Sequence, residues 1–329
     1  MFAGRRRRAH QSAGARRRIA EAVLSVDQLA HGAGRLCPGA AQYARNGRIP
    51  DRVRYRVPVL CCGARDPPVK PVGGCGIDRD AIRKTASLLR KARSVLFITG
   101  AGISADSGLP TYRGIGGLYN DPATDDGIPI ETALAGSTLA SHPGVTWKYL
   151  AQIEERCRHA RFNRAHEVIA LAQERFDRVC VLTQNIDGFH QAAGSANVID
   201  IHGDLHDIYC TGCGWRTRVR DYSRIRIPPT CPDCGAIARP DVVFFGETLA
   251  PEKYERLTRQ CREGFDAYFS VGTTSVFPYI AGPVVEAARA RKPVVEINPG
   301  DTAVSGYAGI RLRAGAAAAL DAVWSAYTA

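Results

Sequence analysis

Val95-Leu96-Phe97-Ile98-Thr99-Gly100-Ala101-Gly102-Ile103-Ser104 runs from five residues rich in β-branched and large apolar types straight into closely spaced glycines. A parallel strand buried on both faces reads as such a continuous apolar run, and glycines after it let the backbone approach a phosphate-bearing ligand. The stretch therefore predicts a central strand of an α/β sheet with a ligand at its carboxyl end. Gly100-x-Gly102-x-x-Ala105 also fits the dinucleotide fingerprint, although a plain strand-to-turn glycine pair has the same spelling. The rest of the chain has to separate the two.

The 329 residues are 45% hydrophobic, enough for one large or two modest domains with a true core. No apolar run approaches the ~18 residues of a membrane span, so no membrane partner is expected. The net charge of +12 is held unevenly: residues 1–75 carry 15 Lys and Arg against 4 Asp and Glu, and the other 254 carry 29 against 28. The body is nearly neutral, so contact with nucleic acid is expected only through the basic amino-terminal extension, residues 1–77. Its arginine runs and lack of hydrophobic period read as disorder; a polybasic arm, a transit peptide and a misplaced upstream start are the sharper alternatives. Acids interrupt residues 19–27, which speaks against a secretory signal, and the Ala-, Arg- and Gly-rich composition points to a cytoplasmic, bacterial-type protein.

Residues 78–92 have helical spacing of Ile82, Ala86 and Leu89, and two further amphipathic helices follow around Trp147 and Val168. Six short apolar runs, at 95–99, 179–183, 198–201, 242–245, 267–271 and 294–297, alternate with helical stretches. That alternation predicts a Rossmann-like parallel six-stranded sheet with helices on both faces. The expected division is an NAD-type Rossmann domain from 78–117, 180–205 and 240–329, with a smaller domain from a helical insertion (118–179) and a four-cysteine module (206–239). Ligands of open α/β sheets sit at the carboxyl ends of strands, and the residues just there are Gly100, Gln184 and Asn185, His202, Gly246 and Glu247, Gly272, Thr273 and Thr274, and Asn298.

Cys210-x2-Cys213-x17-Cys231-x2-Cys234 has the spacing of two knuckles that close a tetrahedral Zn2+ site. Protein fills all four positions, so the zinc would be structural. Two disulfides would need an oxidising compartment. His202 ends an apolar run and precedes Gly203; an imidazole with an ordinary pKa near ~6.5 suits a general base acting on a ribose hydroxyl. Asn185 and Asp187 offer a carboxamide and a carboxylate for an amide-bearing ligand or a water, or else form a loop with an Asx turn. His206 reads as structural.

Together, Gly100 to Ser104 with Tyr112 and Arg113, the Thr183-Gln184-Asn185-Ile186-Asp187 run, His202-Gly203, the four cysteines, Arg239 to Glu247, Gly272-Thr273-Thr274 and Ile297-Asn298 resemble the sirtuin family, in the family's order over residues 80–325. The resemblance implies an NAD-consuming protein-lysine deacylase, most simply a deacetylase, that moves the acyl group to ADP-ribose and releases nicotinamide. It implies His202 as base, Asn185 positioning ribose and water, and Asp187 with Ile103 holding the nicotinamide amide. Gly100, Ala101, Gly102 and Ser104 would surround the phosphates, Tyr112 and Arg113 would cover the reacting end, and Gln184, Gly272, Thr273, Thr274 and Asn298 would complete the dinucleotide site. Val243, Phe244, Phe245, Gly246 and Glu247 on one side, and residues 275–279 with Val276 on the other, resemble the edges between which an acyl-lysine peptide adds as a strand. Succinyl- and malonyl-preferring sirtuins carry Tyr and Arg three residues apart after a Trp like Trp147. Here those positions are Leu150 and Ile153, or Tyr149 and Gln152 one residue earlier, so neutral acyl groups are expected.

Three rivals remain at this level. A dehydrogenase would need a second strand ending in an acid about 20 residues on. A zinc-ribbon nucleic-acid binder would use the cysteines and the basic extension. A sirtuin-fold ADP-ribosyltransferase would share every motif.

Overall fold

The computed structural model describes residues 77–111 and 124–329. The basic extension therefore lies outside the described residues, as do Tyr112 and Arg113. In chain order the main elements are α1 (Arg79–Leu89), β1 (Ser94–Thr99), α2 (Pro143–His159), α3 (Arg164–Ala172), β2 (Arg178–Thr183), β3 (Val198–Asp200), β4 (Gly203–Cys210), β5 (Arg216–Arg218), β6 (Ala238–Val242), α4 (Pro251–Glu263), β7 (Ala267–Val271), α5 (Pro278–Arg289), β8 (Val294–Ile297), β9 (Ile310–Leu312) and α6 (Ala316–Thr328). Among the described residues, no helix is long and apolar enough to cross a membrane.

Six strands form one parallel sheet in the order β3-β2-β1-β7-β8-β9. The continuous apolar run of β1 has a simple cause, since both faces of the strand are covered. Val95 and Phe97 point into a core shared with α1, α3 and α6, while Leu96 and Ile98 point into another shared with α4 and α5. α1 starts where the Asp78 carboxylate accepts the backbone N–H groups of Asp80 and Ala81, and it buries Ala81, Thr85, Ala86 and Leu89. The strand order reverses between β1 and β7, which puts the binding crevice of a doubly wound sheet at their carboxyl ends.

The sheet has the expected number of strands, with one exchange of membership. The run at 242–245 is not a parallel strand. β6 ends at Val242 and pairs antiparallel with β4 in a separate three-stranded sheet, β5-β4-β6. Val242 and Phe244 are apolar because alternate residues there enter the core beneath α2, where Trp147 Nε1 donates to the Ala238 carbonyl at 3.1 Å. The sixth parallel strand is β9, whose three residues carry a charge at the centre and pair only with β8. Arg311 is accommodated because it reaches the buried Glu296 carboxylate at 2.7 Å.

The helical insertion also divides otherwise than expected. α2 packs with the small sheet, but Ala165, Val168, Ile169 and Ala172 of α3 belong to the core of the parallel sheet. An amphipathic face specifies burial without naming the partner, so spacing alone could not separate the two helices.

β3 leads to β4 through Ile201 and His202, and Gly203 makes that junction. Its φ is +91°, and a Cβ there would stand 1.7 Å from the Asp241 carbonyl oxygen. Gly203→Ala is expected to cost about 3 kcal/mol or more, because strain and a backbone clash coincide. A urea unfolding midpoint within experimental error of the parent's would contradict this account of the junction.

Candidate active site

The crevice is built where the chain ends of β1 and β7 touch. Gly102 donates its N–H to the Gly272 carbonyl at 2.8 Å, and Gly100 donates to Val271 at 3.2 Å. A Cβ on Gly102 would lie 2.6 Å from Gly272 Cα, one on Gly100 2.8 Å from Thr273 Cβ, and one on Gly272 2.4 Å from the Ile103 nitrogen. These glycines are therefore required first by the approach of two loops. The short helical turn Ala101–Ser104 follows directly, with Ile103 and Ser104 buried.

The polar residues after β2 lock into this turn. Asn185 Nδ2 donates to the Gly100 carbonyl and to Ser104 Oγ, each at 3.2 Å. Ser104 Oγ donates to Asp187 Oδ2 at 2.8 Å, and Asp187 Oδ1 accepts the Phe189 N–H at 3.0 Å. Burial raises the Asp187 pKa, opposed by the Phe189 and Ser104 hydrogen bonds. Each carboxylate oxygen still has a lone pair for an incoming amide. Gln184 Nε2 meets Thr273 Oγ1 at 2.7 Å, and Asn298 Nδ2 meets the Thr273 carbonyl at 3.2 Å, tying the β2, β7 and β8 ends together. Thr274 is exposed beside them.

His202 stands at the end of β3, half-buried. Its Nδ1 lies 3.1 Å from the Gln184 carbonyl, which can only accept, so Nδ1 carries the proton and Nε2 keeps its lone pair. Nε2 accepts from the Tyr279 hydroxyl at 2.7 Å. Burial lowers the imidazole pKa to about 4, against the Gln184 hydrogen bond and with help from the Lys253 charge. The ring is neutral at pH 7 with its basic nitrogen already selected.

Expected peptide contacts fare unevenly. Val276 is 63% exposed, open to a partner. Phe244, in contrast, is buried in the small-domain core, and the Glu247 carboxylate is held by Arg239 at 2.5 and 2.8 Å. The amides of Val243, Phe244, Phe245 and Glu247 all donate within the chain. The apolar and acidic letters at Phe244 and Glu247 are explained by that internal brace, which occupies both side chains within the fold. Gly246 is exposed.

Two features had no warning in the sequence. One is Tyr279 on His202. The other is a buried polar layer under the crevice: Thr99 Oγ1 meets His190 Nε2 at 2.9 Å, the His190 and His166 ring centroids are 4.9 Å apart, and Asn163 Nδ2 holds the Ile103 carbonyl at 2.8 Å. Both histidines ride on helical turns whose apolar neighbours mask them. His206 is structural as expected, bonding to Asp204.

The four cysteine sulfurs lie within 4.8 Å of one another. Backbone N–H groups of Gly212 and Cys213 point at Cys210 Sγ at 3.2 and 3.4 Å, and that of Asp233 at Cys231 Sγ at 3.4 Å. The Gly212 hydrogen bond is the main reason the Cys210 pKa falls to about 6, towards a thiolate. A tetrahedral zinc with Zn–S of about 2.3 Å sets sulfurs about 3.8 Å apart, so the donor set fits the ion.

Residues 100–278 match the model of the Sir2 family. The chain belongs to the Sir2 family. Among its relatives, the NAD-dependent protein deacylase 2 of Pseudomonas aeruginosa is 48% identical over 227 residues, covering 68% of this chain and 88% of that protein. An ADP-ribose complex of a mutant Sir2 homologue superposes with a TM-score of 0.68 at 33% identity, covering 74% of this chain and 96% of the other. A Sir2 variant solved with a deacetylated p53 peptide and 3′-O-acetyl ADP-ribose gives a TM-score of 0.67 at 27% identity, with coverages of 74% and 97%.

The buried histidines of this Sir2-family chain make its stability depend on pH. Burial lowers His166 to about 4 and lowers His190 well below 6.5, with His166 reinforcing the latter. Below pH ~6.5 the unfolded chain binds protons that the folded chain refuses, so stability is complete above that pH and declines down to about 4. Each unit of pKa difference is worth ~1.4 kcal/mol, and the rise of Asp187 offsets part of the loss. Urea unfolding at pH 7.5 and 5.0 should show a marked loss for the parent and a smaller one for His190→Gln; equal stabilities at the two pH values would contradict the buried-neutral assignment.

Proposed function

We propose that the chain is an NAD-dependent protein-lysine deacylase that acts first on acetyl groups. The observation that carries the reading is the neutral His202, Nε2 lone pair free of a proton, at the end of β3 in a Sir2-family crevice. NAD supplies the ribose carbon that the acyl oxygen attacks as nicotinamide leaves. His202 Nε2 accepts the proton of a ribose hydroxyl, which becomes the nucleophile that carries the acyl group to ADP-ribose. Asp187, already braced by Ser104 and Phe189, would hold the nicotinamide amide beside Ile103. Asn185 would position ribose and water, and the Gly100 to Ser104 turn, which carries no side chain at Gly100 and Gly102, would let the phosphates approach its backbone. Gln184, Gly272, Thr273, Thr274 and Asn298 would carry the remaining dinucleotide contacts, and Val276 with the Val243 to Gly246 backbone would flank the peptide.

The acyl preference rests on the lining of α2. Leu150 is buried and Tyr149 donates its hydroxyl to Asp126 at 2.7 Å, so neither register presents a Tyr–Arg pair to a carboxylate. Incubation with NAD and an acetyl-lysine peptide should release nicotinamide and acetyl-ADP-ribose by mass analysis. His202→Ala should lower the rate by about 100-fold or more, and a succinyl-lysine peptide should turn over more slowly than the acetyl one. ADP-ribosylated protein in place of deacylated peptide would instead support transfer of ADP-ribose to protein.

The cysteine cluster is read as a structural zinc site. Protein supplies every ligand, so the ion would hold the β4–β6 sheet and take no part in the reaction. Chelation should release one zinc per chain and remove α2 and β4–β6 amides from hydrogen-exchange protection before those of β1 and β7. Full protection of β4–β6 in metal-free protein would refute a stabilising metal.

A further inference from the structure

The Tyr279 hydroxyl stands on the one nitrogen that His202 needs for its reaction. Nε2 has a single in-plane lone pair, and a donor at 2.7 Å fills it. A ribose hydroxyl cannot be deprotonated by that nitrogen while Tyr279 occupies it. We propose that Tyr279 is a positioning residue that holds the His202 base idle in the unliganded protein and leaves Nε2 when the acyl peptide binds. The proposal rests on the deacylase reading above and names a control on the same site.

Three observations support a latch over an incidental contact. Tyr279 lies in the first turn of α5, its ring stacked on Phe277 at 5.4 Å and 12°, and both rings stand edge-on to His202 with centroids 5.8 Å away. The hydroxyl is thus held by an aromatic pair, with the tautomer of His202 fixed from the opposite side by Gln184. The segment leading into this turn starts at Ser275, whose φ is +54°, and exposes Val276. A peptide laid along residues 275–279 would press on the backbone that places Tyr279, so substrate entry and release of the base would be one event.

The groups bearing on the His202 ring are Tyr279 from α5 and Lys253 from α4, the latter paired with Asp200 at 3.1 Å. A hydroxyl that donates to neutral imidazole favours the neutral form, so its removal raises the imidazole pKa. Tyr279→Phe keeps the ring and its stack and deletes only that donor.

The test has two arms. In the full chain without NAD, the His202 imidazole is followed by NMR against pH, its signal identified by its absence in His202→Ala. Tyr279→Phe should titrate roughly one unit higher than the parent. In turnover with NAD and acetyl-lysine peptide, kcat/KM for the peptide should rise about three- to ten-fold, carried by KM. The acid limb of kcat/KM should follow the NMR value upward, while that of kcat stays in place. An unmoved titration would overturn the proposal by showing that the contact is not made in solution. A ten-fold fall in kcat at constant KM would also overturn it, placing the hydroxyl in the chemical step. If Tyr279→Phe shows the NMR shift but the parent shows no deacylation, the latch contact stands and the deacylase reading fails.

Discussion

Everything at the functional end of this protein depends on how closely two backbones approach. The loop after β1 and the loop after β7 meet through Gly100, Gly102 and Gly272, with no room for a side chain between them. That contact closes the sheet at its point of reversal, and the Gln184, Asn185 and Asn298 side chains then lash the other strand ends to the same spot. The amides of Gly100, Gly102 and Gly272 are used up in that junction, donating to Val271, Gly272 and Ile297. The glycines are demanded by that narrowness before any ligand is considered.

The chemistry follows from what the crevice excludes. Partial burial of His202 disfavours an imidazolium and leaves a neutral ring, while the Gln184 carbonyl decides which nitrogen keeps the proton. The same desolvation acts on His166 and His190, which lie in the buried polar layer with Thr99. Three imidazoles among the described residues are kept neutral by burial, and of these only His202 stands just past the end of a strand of the parallel sheet. A lowered pKa is therefore common to all three and does not by itself single out a base.

Much of this was legible beforehand because it is local. Five of the six parallel strands announce themselves as apolar runs, the cysteines as two knuckles, and His202 as the residue between a strand and a glycine. β9 did not, because three residues around Arg311 carry no period, and their place in the sheet depends on Glu296, 15 residues earlier on β8 and paired with Arg311 only after folding. The 242–245 run misled for the converse reason: an alternating face looks the same whichever core it enters. Glu247 has the same lesson at the site, since its partner Arg239 lies on β6 and only folding makes them bidentate.

By itself, the sequence determined the α/β class, the strand-to-glycine turn at Gly100 and Gly102 and the four-cysteine set, and it singled out His202 as a candidate, because hydrophobic period and ligand spacing are written in covalent order. Tertiary structure alone decided which sheet each run joined, the side on which α3 packs, and the protonation and tautomer of His202. It also brought Tyr279, 77 residues further along, onto Nε2. Those matters turn on burial and on pairs of groups from distant elements, and neither quantity exists until the chain has folded.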